Sequence, residues 1–111
     1  MAHKIEDAFD SEGILEHGSN DENTYWFSLK NIPTTITVTL SKGKMAGLDG
    51  YNFKLSHYIN TPQQAGPYRP SRQWGDDKAY ALHQAVSAIT DYYDMAIENG
   101  DKPSAEWLIK A

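Results

Sequence analysis

The chain has 111 residues, no cysteine and a net charge of −5, which suits one domain and excludes disulfides, thiolate metal sites and cysteine nucleophiles. About 40% of it is hydrophobic, enough for an ordinary core. No apolar run approaches the roughly 20 residues that span a bilayer, and residues 1–7 lack the basic-then-apolar pattern of a secretion signal, so a cytoplasmic protein without membrane contact is the expectation.

Charge is uneven along the chain. Residues 1–23 carry seven acids against Lys4. Residues 24–78 are net basic through Lys30, Lys42, Lys44, Lys54, Arg69, Arg72 and Lys78, and residues 79–111 are acidic again. Such a protein repels phosphate at long range while keeping a local basic patch.

Residues 1–23 read as an acidic N-terminal segment, either a short helix around Ile5, Ala8 and Phe9 or a tethered arm. Ile14-Leu15 is a short strand or a packing anchor, and Gly18-Ser19-Asn20-Asp21 has loop composition. Residues 24–59 predict a three-stranded sheet. Tyr25, Phe27 and Leu29 share one face of the first strand, Ile36, Val38 and Leu40 of the second, and Tyr51, Phe53, Leu55 and Ile59 of the third. Period-two alternation of this kind marks strands, and short connections favour antiparallel pairing. The glycines at 43, 47 and 50 predict a flexible connection over 41–50.

Residues 60–75 form a loop with three prolines, at 62, 67 and 70, which oppose helix and central strand alike. A helix is expected over about 77–99, with Asp76 or Asp77 as cap. Leu82, Val86, Ile89, Tyr93 and Ala96/Ile97 form its apolar stripe, and Gly100 with Pro103 ends it. Residues 100–111 are a tail that Trp107, Leu108 and Ile109 dock. The expected fold class is α+β: a three-stranded antiparallel sheet packed on one long C-terminal helix, since one apolar face and one apolar stripe cover each other.

Catalytic chemistry has little support. No serine sits in a nucleophile elbow, and His3, His17, His57 and His83 are scattered. His57 with Asp76 or Asp77 is the one pair suited to proton transfer. No two histidines have the helical spacing of a zinc site, and Asp91, Asp94 and Glu98 read as a solvated face. No cofactor or metal is expected. Lys42 and Lys44 lack the order of a phosphate loop.

The binding signal lies elsewhere. Tyr68, Arg69, Arg72 and Trp74 join rigidifying prolines in one loop, and Tyr, Trp and Arg dominate interface hot spots. Trp74 serves equally well as a plug for the end of the core. A second candidate surface is the polar sheet face, where Trp26, Thr35, Thr37, Thr39, Lys54 and Tyr58 share one phase. Residues 1–23 are expected to fold across it, with Ile14 and Leu15 on Trp26.

In size and style the chain resembles small single-domain accessory proteins of phages and mobile elements, including anti-CRISPR and anti-restriction inhibitors, although no motif carries the likeness. That implies a non-enzymatic protein-binding inhibitor or adaptor, a monomer or homodimer, whose partner belongs to a nucleic-acid-processing complex. The alternative is a nucleic-acid module, because a three-stranded sheet backed by a helix resembles double-stranded-RNA-binding domains. There the last helix opens with lysines that grip phosphate, whereas Asp76 and Asp77 precede Lys78 here. A small enzyme is the third reading.

Overall fold

The computed structural model describes residues 4–111. After a short 3-10 helix (Ile5–Phe9), seven strands and one long helix follow in order: β1 (Ile14–Asp21), β2 (Thr24–Leu29), β3 (Thr35–Met45), β4 (Leu48–Leu55), β5 (His57–Ile59), β6 (Trp74–Gly75), α1 (Lys78–Glu98) and β7 (Leu108–Lys110). Five strands make one antiparallel sheet in the order β1-β2-β3-β4-β6, and β5 pairs with β7 in a second sheet. The fold is α+β, but the expected three-stranded sheet is overturned at both edges and in the middle.

At one edge, β1 replaces the anticipated anchor and loop. It pairs from Ile14↔Leu29 to Asp21↔Thr24 and is solvent-exposed over most of its length, so its side chains never had to alternate. Its turn is written in polar chemistry: the Asp21 carboxylate accepts from the Asn23 N–H at 2.8 Å. In the middle, the supposed flexible connection is a continuous hairpin. Ala46 (φ 52°) and Gly47 (φ 79°) form the two-residue turn that suits twisted strands, and pairing continues from Met45↔Leu48 to Val38↔Leu55. The third strand breaks at Ser56, whose Oγ accepts from the Thr37 N–H at 2.8 Å. Beyond that break β5 pairs with the C-terminal tail, Ile59 opposite Leu108. At the far edge β6 emerges from the proline loop, with Trp74 opposite Asn52.

The core lies between the inner sheet face and α1. Phe27, Leu29, Ile36, Val38 and Leu55 meet Leu82, Ala85, Val86 and Ile89, all of them fully enclosed or nearly so. Alanines at 81, 85, 88 and 96 are buried on the helix and let it approach the strands. Asp77 caps α1, accepting from the Tyr80 N–H at 2.7 Å. At the C-terminus the amides of Gly100 and Asp101 return to the carbonyls of Ile97 and Ala96, a Schellman stop that the left-handed Gly100 makes possible. Trp107 and Leu108 are buried as expected of the tail, while Ile109 faces outward.

The N-terminal segment takes the opposite side from the one expected. Phe9 enters the core, stacks on the His17 ring at 4.5 Å and tilts against Phe27 at 6.2 Å. The 3-10 helix thus packs on the α1 side of the sheet, and Leu15 stays exposed instead of covering Trp26. Among the described residues, no helix is long and apolar enough to cross a membrane.

Candidate functional site

The proline loop and the middle of α1 enclose an open groove of about 540 Å³. Three glutamines hold the loop in place. The Gln64 amide accepts from the Thr61 N–H at 2.8 Å and donates to the carbonyls of Ile59 and Gly66 at 3.1 and 3.2 Å. Gln63 donates to Asp101 at 2.7 Å, beyond the end of α1. The Gln73 carbonyl accepts from the Phe53 N–H at 3.0 Å, which fastens the loop's exit to β4. Prolines at 62, 67 and 70 narrow the remaining backbone freedom.

This frame presents the loop's large side chains. The Tyr68 N–H bonds to the Ile59 carbonyl at 3.0 Å, and the Tyr68 ring leans on Tyr92 of α1 with centroids 4.8 Å apart. Tyr68 nonetheless remains 37% exposed. The Arg69 guanidinium sits 4.9 Å over the Tyr58 ring, a cation–π contact. Arg72 and Asp91 line the same groove, giving one cationic and one anionic rim. Phe53 and Ala88 reach it from the core, and Met95, 52% exposed, stands at its helix side. In its wall the Gln84 amide oxygen is buried without a hydrogen-bond partner.

Tyr68 and Arg72 therefore share the groove, while Arg69 and Tyr58 form a separate pair outside its lining. Trp74 lies apart from them. It is 8% exposed, pairs with Asn52 on the outer side of the sheet, and donates its indole N–H to the Gly43 carbonyl at 3.2 Å. A Cβ on Gly50 would collide with its ring. Trp26 also stands on the outer face, between Gly18 and Thr37, remote in the sheet from the β4–β6 edge. Tyr58 leaves that face, because β5 belongs to the other sheet. The residues that sequence reading missed are Gln84, Tyr92 and Met95 of the groove and the glutamines that set the loop, while Asp91 was read only as part of a solvated face. Tyr92 flanks the apolar stripe, and that extra aromatic beside Tyr93 was the available signal.

Several titratable groups elsewhere have partners within the fold. His57 Nδ1 shares a 2.8 Å hydrogen bond with Ser56 Oγ, and burial, then the Lys110 charge, holds its pKa below the usual histidine value. The ring's hydrogen bond thus goes to Ser56, and neither Asp76 nor Asp77, the latter used as the helix cap, is found paired with His57 among the described residues. Ser11 Oγ donates to Asp94 at 3.1 Å. Burial raises the Asp94 pKa, opposed by that hydrogen bond and reinforced by Asp91, Glu98 and Glu12. Burial likewise raises Tyr93, whose hydroxyl donates to the Lys30 carbonyl at 2.7 Å. Among the described residues, no three His, Asp or Glu side chains gather as a metal site; His3 lies outside them. Comparison with known protein families, curated proteins and solved structures finds no match.

Proposed function

We propose that the chain is a small non-catalytic binding module of the inhibitor or adaptor kind, docking on a protein partner through the groove between residues 68–72 and α1. One observation carries this reading: the loop is bonded to β5, to β4 and past the end of α1 while Tyr68, Arg69 and Arg72 stay exposed. A loop fixed before binding loses little entropy when a partner arrives. Exposed Tyr and Arg around an apolar floor make a hot-spot composition. The groove joins Arg72 to Asp91, which suits a protein surface of mixed charge better than a polyanion. Phosphate contacts call for clustered cations, and Lys44 is already paired with Asp49 at 3.6 Å.

The test is capture from host lysate, treated with nuclease, using four tagged baits. Wild-type and Lys54→Glu baits retain one protein stoichiometrically, while Arg72→Glu and Tyr68→Ala lose it. Retention by all four removes the groove from the account. Capture that vanishes on nuclease treatment transfers the function to nucleic-acid binding.

A further inference from the structure

We infer, resting on the docking role of the groove, that its occupant is an extended polyproline-type segment of the partner carrying one basic side chain. The α1 wall of the groove runs from Gln84 to Met95, about 17 Å at the helical rise. A volume of about 540 Å³ over that length leaves a cross-section of about 30 Å², room for one extended chain. A helix, about 10–12 Å across, would insert only the tips of one row of side chains. An added β-strand finds no ladder to join. The backbone of α1 bonds to itself, Pro67 and Pro70 have no N–H, and the Tyr68 N–H is already given to the Ile59 carbonyl at 3.0 Å.

A polyproline helix needs neither the width nor the ladder. It advances about 3.1 Å per residue, so about five residues span the groove, and its carbonyls have no internal partners. Tyr68, Tyr92, Pro70 and Met95 supply the aromatic and apolar surface on which proline rings pack. The Tyr68 and Tyr92 hydroxyls have no partner among the described residues, so both are free to donate to the segment's carbonyls. Asp91 and Arg72 are exposed on opposite walls, and neither is in an ion pair among the described residues. Asp91 is therefore the anchor for a basic side chain, and Arg72 across the groove repels a second one. Proline presets the backbone of the segment, which lowers the ordering cost on the ligand side as the bonded loop does on this chain's side.

The experiment is fluorescence anisotropy of the full chain with four labelled decapeptides: a proline run with arginine at its start, the same run with arginine at its end, the run with glutamate in place of arginine, and an alanine-rich helical peptide bearing the same arginine. One of the two arginine–proline peptides is expected to bind in the micromolar range, and the glutamate peptide at least about threefold more weakly. Tyr68→Ala should weaken the arginine–proline peptide about tenfold. Asp91→Asn should weaken it about threefold and abolish the preference for arginine over glutamate. Binding of neither arginine–proline peptide, equal or tighter binding of the helical peptide, or a preference for arginine that survives Asp91→Asn would each overturn the proposal. The docking role itself fails by a different result, retention of the partner by all four lysate baits. A partner lost by the groove variants, together with no binding of the proline peptides, would sink the polyproline occupant alone.

Discussion

Trp26 and Trp74 stand on the same outer side of one sheet, and each lies against a glycine of the neighbouring strand. Their surroundings then diverge. Trp74 faces the paired glycines Gly43 and Gly50, gives its N–H to the Gly43 carbonyl and keeps 8% of its surface. Trp26, on the interior strand β2, lies against Gly18 of the exposed edge strand β1 among threonine and asparagine side chains and remains partly open. The comparison separates a tryptophan used to join β6 to the sheet from one left part-exposed. Residue type and strand phase are equal in the two cases; what differs is whether the fold itself satisfies the polar tip and covers the ring.

The sharpest way to break the comparison is Trp74→Ala. Removing a buried aromatic costs about 3–5 kcal/mol, and it also strands the Gly43 carbonyl; urea unfolding should show a loss of that order. A loss no larger than that of a surface change would place Trp74 with Trp26. Gly50→Ala comes next, because its Cβ would meet both the Trp74 ring and the Gly75 carbonyl. Overpacking of this kind costs about 1–3 kcal/mol, read as a lower urea midpoint. Trp26→Ala should cost only about 0.5 kcal/mol, the range of surface substitutions, and a loss approaching that of Trp74 would make it structural.

The smallest effects are titrations. Asp94 in the folded chain holds its proton more tightly than its ordinary value of 3.8. Its contribution therefore weakens the fold as pH rises from that value through the raised one, and leaves it weakened above. Asp94→Asn should flatten this part of the stability–pH curve, with Ser11 still bonded to the amide oxygen. His57 acts in the opposite sense. Its folded pKa lies below 6.5, so stability is retained above that value and lost as pH falls through the window beneath it. Thermal melts of His57→Gln should show a shallower acid-side decline.

Much of the helix–sheet core was legible because apolar spacing reports burial: Phe27, Leu29, Ile36 and Val38 on strands, Leu82, Val86 and Ile89 on α1. The caps at Asp77 and Gly100 were legible because their roles are local. β1 was not, since an exposed edge strand needs no hydrophobic phase. The long β3–β4 hairpin was hidden by its own glycines, which read as flexibility when Gly43 and Gly50 make room for Trp74 and Gly47 makes the turn. At the groove, Tyr68 and Arg72 stood out by type. Their helix-side neighbours Tyr92, Asp91 and Met95 did not, because only the tertiary fold brings residues from α1 beside a loop some twenty positions earlier.

The docking reading is tested most directly by photo-crosslinking in the presence of the captured partner. A benzophenone-bearing amino acid is placed at position 95 in one protein and at position 48 in another, where Met95 and Leu48 are 52% and 62% exposed. The groove account expects a covalent adduct from position 95 and none from the hairpin tip at 48. An adduct from 48 alone would contradict it.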